Sequence, residues 1–250
     1  MLSGWRERGL APSFAVDPAP DAGRNAGADL TVVSDLSLVP AGFAPAAVVL
    51  AVKPQSAAEA LPAYARFAGS AVFLSIMAGR TIGGIQALLG GSAAIVRAMP
   101  NTPAAVRQGV TVATPSASVT AEQRLLCETL LRAIGLVEWV DQEALLDPVT
   151  AVSGSGPAYV FLLAELMELA AIEQGIAPDL ARVLARQTVA GSGALLAASP
   201  ESAAELRKAV TSPAGTTEAA LKVLMAPDAL PKAFSEAIAA ATRRSRELAG

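Results

Sequence analysis

Ala46-Ala47-Val48-Val49-Leu50-Ala51-Val52-Lys53-Pro54 is an unbroken apolar run closed by a lysine and a proline. A run this short, apolar at every position from Ala46 to Val52, marks a strand buried on both faces of a parallel sheet. Segments of the same kind lie on either side. Ser13–Val16 and Leu30–Val33 come before it, and Ala71–Ser75, Ala93–Met99, Val110–Thr114 and Val137–Val140 follow. Helical stretches are predicted at Met1–Arg8 (closed by Gly9), Ser56–Phe67, Thr81–Leu89 and Ala121–Ile134. Strands alternating with helices at this spacing predict an α/β domain over residues 1–146, built on a doubly wound parallel sheet. Such sheets bind ligands beyond the carboxyl ends of their strands. Three loops qualify: Asp17-Pro18, Lys53-Pro54 and Met77-Ala78-Gly79.

From about Asp147 the pattern changes. Pro157–Glu173, Pro178–Ala197, Ser202–Val210, Thr217–Leu224 and Lys232–Leu248 all read as helices, with no strand candidate among them, so residues 147–250 form an all-α domain. Tyr159, Leu162, Leu163, Leu166 and Leu169 recur at helical spacing on one stripe. Glu165 and Glu168 interrupt the apolar stretch Ala158–Ala171, which therefore reads as a core helix rather than a membrane span. Gly154, Gly156, Gly191 and Gly193 are small enough for close helix crossings. A bundle this apolar, with little charge to cover it, is expected to bury one face against a second copy of itself.

Within that bundle lies Val210-Thr211-Ser212-Pro213-Ala214-Gly215-Thr216-Thr217, followed by Glu218. Pro213 pushes its predecessor out of helical geometry. A new helix should then begin with Thr216 or Thr217 as N-cap and Glu218 in its first turn. A helix start rich in hydroxyls and small residues, with free backbone N–H groups, suits a carboxylate ligand. An ordinary capped helix would look the same.

Composition narrows the chemistry. Hydrophobic residues make up 53% of the chain and aromatics only 4%, so Ala, Val and Leu must build the core. A net charge of −3 gives no reason to expect nucleic acid or an anionic membrane as partner. Cys127 is the single cysteine, has no internal disulfide partner and fits a reducing compartment. With no histidine, a His-dependent triad and a His- or Cys-based zinc site are excluded, and no metal is expected. Arg6, Glu7 and Arg8 occupy the place where an export signal needs its apolar region, which points to the cytoplasm.

Several stretches together resemble the pyrroline-5-carboxylate reductase family. They are Ala51-Val52-Lys53-Pro54-Gln55, Ser75-Ile76-Met77-Ala78-Gly79, Arg97-Ala98-Met99-Pro100-Asn101-Thr102-Pro103, Ser153-Gly154-Ser155-Gly156-Pro157-Ala158-Tyr159 and Ser212–Thr217. Each is weak alone; in this order, across nearly the whole chain, they are specific. The resemblance implies a Rossmann-type domain followed by a helical dimerisation domain, in a homodimer that can assemble further. The reaction it implies is hydride transfer from NADPH or NADH to 1-pyrroline-5-carboxylate, giving L-proline in the last step of proline biosynthesis. It also implies site roles. Thr217 would be the hydroxyl that orients the ring nitrogen, or a plain helix cap. Ser212, Gly215 and Thr216 would bind the substrate carboxylate. Val52, Lys53, Pro54 and Ala78 would meet the cofactor, although Lys53 could equally be a solvated strand-end charge. Ser34 would touch the adenosine side, and Asn101 would shape the nicotinamide end or make an Asx-type turn. Asp17 would accept hydrogen bonds from a ribose 2′-hydroxyl and repel a 2′-phosphate, favouring NADH in a family that commonly uses NADPH, or would simply make a turn.

One feature departs from the family. Its members begin with a strand and a Gly-rich phosphate-binding turn, and neither is found here; Gly79 to Gly84 (G-R-T-I-G-G) lacks the spacing and opens the wrong helix. The absence should leave the neighbouring strands without a ladder partner. Either Met1 is internal to a longer natural protein, which is the expectation, or this form binds cofactor poorly. Two other readings compete. A β-hydroxy-acid reductase needs a lysine in the first interdomain helix, and Ser155–Leu169 has none. A non-catalytic dimer that lost dinucleotide binding is the alternative from a different class.

Overall fold

The computed structural model describes residues 1–249. Two compact units divide the chain: Met1–Gly154 together with the end of the last helix from Thr242, and Ser155–Ala241.

The first unit carries strands β1 (Ser13–Val16), β2 (Leu30–Val33), β3 (Ala47–Leu50), β4 (Val72–Ser75), β5 (Ala94–Met99), β6 (Gly109–Pro115) and β7 (Gly135–Trp139). Its helices are α1 (Leu2–Glu7), α2 (Ala57–Ala60), α3 (Ile82–Leu89), α4 (Ala121–Arg132) and α5 (Leu146–Val149). Alternation along β4 and β5 builds the core. Phe73 and Ile95 point to one face, where Leu50, Leu61, Phe67, Ile85 and Leu89 meet them. Val72, Leu74, Val96 and Ala98 point to the other, onto Cys127 and Leu131 of α4. Helices on both faces are what make a strand apolar at every position, as the run at Val48 suggested. Burial pushes the Cys127 thiol up to about 12, so it stays protonated and inert at neutral pH.

Two features of the sheet differ from a plain doubly wound one. The strands form a parallel pair β1-β2 and a separate sheet β3-β4-β5-β6-β7. β1 pairs only with β2, and β3 only with β4, so each keeps one edge without a ladder partner among the described residues. The sheet is parallel in the main, as expected, with one exception: β6 runs antiparallel to β5, with Met99 opposite Val112. The connection explains it. Only a short loop and a 3₁₀ turn, Thr102–Val106, link β5 to β6, whereas a parallel return needs a crossover of a dozen residues or more. β6 to β7 has such a crossover in α4, and that pair is parallel.

Ser56–Phe67, expected as one helix, is a single α turn (α2) followed by 3₁₀ structure over Leu61–Phe67, because Pro62 lacks the N–H that would continue the α ladder.

The second unit contains α6 (Gly156–Glu173), α7 (Pro178–Ala198), α8 (Ala203–Ala209), α9 (Thr216–Leu224) and the start of α10 (Leu230–Ala249). Ser202 and Glu205 close a reciprocal capping box on α8. Here too the structure corrects two expectations. The stretch Ala158–Ala171 is no core helix within this chain: no residue of α6 is buried, and Phe161 is 67% exposed. Nothing packs within 4 Å of a Cβ placed on Gly156, Gly191 or Gly193, so these glycines mediate no close crossing inside the chain. By length and composition the helical run Glu143–Glu173, with a window of mean hydropathy 1.4, could cross a membrane.

Candidate active site

The sheet unit contributes a row of strand ends. Pairing of Val16 with Val33 sets Asp17 beside Ser34, and pairing of Leu50 with Ser75 sets the Lys53-Pro54 loop beside Ala78-Gly79. β5 runs parallel to β4, so Asn101 leaves the sheet at the same end.

At Asp17 the backbone N–H donates to the Val33 carbonyl at 2.9 Å, and Oδ1 accepts from the Ala19 N–H at 3.0 Å. This is a turn, and it occupies one carboxylate oxygen while leaving the other without a protein partner among the described residues. Ser34 is exposed, with its hydroxyl unbonded among the described residues. Val52 and Lys53 are exposed and Pro54 half-buried. The Lys53 carbonyl accepts from Ser56 N–H at 2.9 Å, which fixes the loop, while its ammonium has no partner among the described residues. Ala78 is exposed, and Gly79 has φ +70°, where a side chain is strained. Asn101 spends both polar ends on its surroundings. Its Oδ1 accepts from Val110 N–H at 3.0 Å, and its Nδ2 donates to the Ser153 carbonyl at 3.2 Å. An Asx turn would bond two residues on; Asn101 instead ties the exit of β5 to β6 and to the Ser153-Gly154 segment.

The loops fit a dinucleotide on two grounds. They lie at carboxyl ends of strands, and Val52, Lys53 and Ala78 are exposed to solvent there.

The helical unit contributes the start of α9. Its N-cap is Gly215, with no side-chain cap bond, so neither Thr216 nor Thr217 caps the helix as expected. Packing explains the shift. Gly215 N–H donates to the Ser212 carbonyl at 3.1 Å, and a Cβ on Gly215 would lie only 2.5 Å from Ser212 Oγ. Ala214 takes φ +59°, an unusual conformation for a residue with a Cβ, and its N–H is held by Glu218 Oε2 at 2.5 Å. That bond and Lys222, 3.6 Å from Oε1, draw the Glu218 carboxylate aside. The first intrahelical donor is Ala219 N–H, bonded to the Gly215 carbonyl at 3.1 Å. The N–H groups of Thr216, Thr217 and Glu218 have no partner among the described residues, and neither do the hydroxyls of Ser212, Thr216 and Thr217. The start of α9 thus presents open N–H and hydroxyl groups at the positive end of a helix dipole.

Three residues outside these expectations hold the sheet unit's loops. Arg97 sits within β5 and is only 5% exposed; its Nη1 donates to Glu143 Oε1 at 2.8 Å. The same oxygen accepts from Ile82 N–H at 2.7 Å, and Arg80 reaches across to Pro54. An arginine inside the apolar strand Ala94–Met99 is a signal the sequence did offer, since a buried guanidinium demands a carboxylate partner.

Exposed loops along the carboxyl edge of a Rossmann-like sheet, followed by a helical unit, are the architecture of nucleotide-dependent oxidoreductases. Residues 143–248 match the family model for pyrroline-5-carboxylate reductase dimerisation. The pyrroline-5-carboxylate reductase of Pseudomonas aeruginosa is 43% identical over 203 residues, covering 81% of this chain and 74% of its own. Among solved structures, a pyrroline-5-carboxylate reductase from Coxiella burnetii superposes with TM-score 0.90 at 34% identity, covering all of this chain and 93% of its own. The Plasmodium falciparum pyrroline carboxylate reductase, solved with NADP bound, superposes with TM-score 0.79 at 26% identity, covering 95% and 87%. The chain belongs to the pyrroline-5-carboxylate reductase family and is an NAD(P)H-dependent reductase. The match gives no support to a non-catalytic dimer.

Proposed function

We propose that this chain reduces 1-pyrroline-5-carboxylate to L-proline, the last step of proline biosynthesis, as a cytoplasmic homodimer able to assemble further, with no nucleic-acid or membrane partner. The observation that carries the reading is the α9 start: three backbone N–H groups and three hydroxyls left open in one short motif.

When bound, the reduced nicotinamide supplies the hydride that converts the substrate's C=N carbon to that of proline. The chain's own part is modest, because a protonated cyclic imine is already electrophilic. Ser212, Gly215 and Thr216 hold the substrate carboxylate through hydroxyl and backbone N–H donors. Thr217, freed from capping duty, orients the ring nitrogen with its hydroxyl. No histidine is needed, since the proton can come through water. Asp17, Ser34, Val52, Lys53, Pro54, Ala78 and Asn101 line the cofactor's path along the strand ends. The unbonded oxygen of Asp17 accepts from a ribose 2′-hydroxyl and repels a 2′-phosphate, which tilts this chain toward NADH. The exposed apolar faces of α6 and α7 read as dimer surface rather than a membrane span.

One steady-state experiment tests these assignments. Thr217→Ala, assayed with NADH and with NADPH, should lower kcat about tenfold to a hundredfold, the loss of one hydrogen bond to a charged group, while the dimer stays intact by light scattering. Unchanged kinetics remove Thr217 from the reaction, and a strong NADPH preference in the unaltered enzyme removes Asp17 from cofactor choice.

A further inference from the structure

We infer that Arg80 and Glu143 are positioning residues that clamp the Met77–Ile82 segment against the Lys53-Pro54 loop and so shape the surface the cofactor meets. The inference rests on the reading above that these two loops carry NAD(P)H.

The segment is held at three points. Arg80 leaves the end of the loop after β4 and turns back across the strand edge. Its Nε and Nη2 both donate to the Pro54 carbonyl, at 2.9 and 2.7 Å. A guanidinium giving two charge-assisted bonds to a single oxygen ties the exits of β3 and β4 together where no backbone ladder can. The Glu143 carboxylate provides the second point. Its Oε1 takes the N–H of Ile82, the first residue of α3, and is pinned from behind by buried Arg97. A carboxylate at the positive end of α3 satisfies a donor the helix itself leaves open. The third point is steric. Gly79, in left-handed geometry, lies so close to the end of α10 that a Cβ would stand 2.9 Å from the Leu248 carbonyl. Ser245 of the same helix donates to Asp147 Oδ1 at 2.7 Å, which keeps that wall in place.

Ala78 is thus exposed to ligand but bracketed by fixed neighbours, and the loop pair acts as one preformed surface. A loop that must be ordered on binding loses that ordering cost from its affinity; a clamped one does not. Arg80 is half-buried and lies outside the core clusters, so its replacement should leave the fold intact.

The test compares Arg80→Leu, Arg80→Lys and Glu143→Gln in the full chain, reading amide hydrogen exchange without cofactor and Kd for NADH and NADPH by fluorescence. Arg80→Leu should speed exchange tenfold or more in both Gln55–Ala57 and Gly79–Ile82, leaving Ala94–Met99 unchanged. It should raise Kd and KM for the cofactor about tenfold, with kcat at saturating cofactor and KM for 1-pyrroline-5-carboxylate unaltered. Arg80→Lys, which retains one donor group, should recover part of the loss, and Glu143→Gln should speed exchange at Gly79–Ile82 and around Arg97 but not at Gln55–Ala57. Unchanged exchange in Arg80→Leu overturns the clamp. Faster exchange with cofactor affinity equal to that of the unaltered chain overturns its role in binding. An unaltered chain that binds no dinucleotide, with exchange responding as expected, strikes instead at the cofactor reading on which the inference rests.

Discussion

β4 and α6 are both apolar, and the chain treats them in opposite ways. All four residues of β4 are buried between helices on its two faces, whereas none of the eighteen residues of α6 is. The sheet unit completes its core from its own sequence. The helical unit leaves Phe161, Leu162, Leu166 and Leu169 half or more exposed. A contiguous apolar surface on that scale is expected where a partner covers it. The family model matched to this region is named for dimerisation, in keeping with that expectation. Equal hydrophobicity is therefore spent inside the chain in one unit and left uncovered by the chain in the other.

Three substitutions bear on this contrast, in descending order of effect. Phe161→Glu places a charge on the α6 face and should abolish the dimer altogether, read as a halved mass by light scattering, while the far-ultraviolet spectrum of the sheet unit persists. A dimer that survives it would relocate the interface. Phe73→Ala opens a cavity in the sheet core and should cost about 3–5 kcal/mol in urea unfolding, with no change of mass before the transition. A loss below about 1 kcal/mol would mean that the core between β4 and α3 is not closed as described. Ser202→Ala removes the capping box of α8 and should cost about 1 kcal/mol, lowering the midpoint of unfolding without touching the dimer.

Much of the architecture was legible in residue pattern alone. Ser13–Val16 and Leu30–Val33 stand as read, and the other strand boundaries moved by no more than two residues or so. Patterns of burial are local signals and survive without knowledge of the partner. The apolar alternation of β6 is identical whichever way the strand runs, so its direction was legible only in the short β5–β6 connection, which leaves no room for a parallel crossover. The break in Ser56–Phe67 was announced by Pro62 and overlooked. At the candidate site, the motif Ser212–Thr217 was visible as a helix start, but its cap was assigned one or two residues late. The composition of a cap does not reveal the Gly215–Ser212 approach that moves it. Arg80 carried no signal, since an arginine in a polar loop reads as solvated until its reach to Pro54 is seen.

By itself the sequence determined the order of elements, the helices-on-both-faces sheet, the helical second half and the chemistry excluded by a chain without histidine, since these follow from periodicity and composition. Tertiary structure alone decided which groups are spent and which are free. Asn101 is consumed at both ends, the α9 hydroxyls are released from capping, and Arg80 and Glu143 are committed to a loop. Those outcomes depend on which distant atoms come within about 3 Å of one another, a separation that local sequence pattern does not encode.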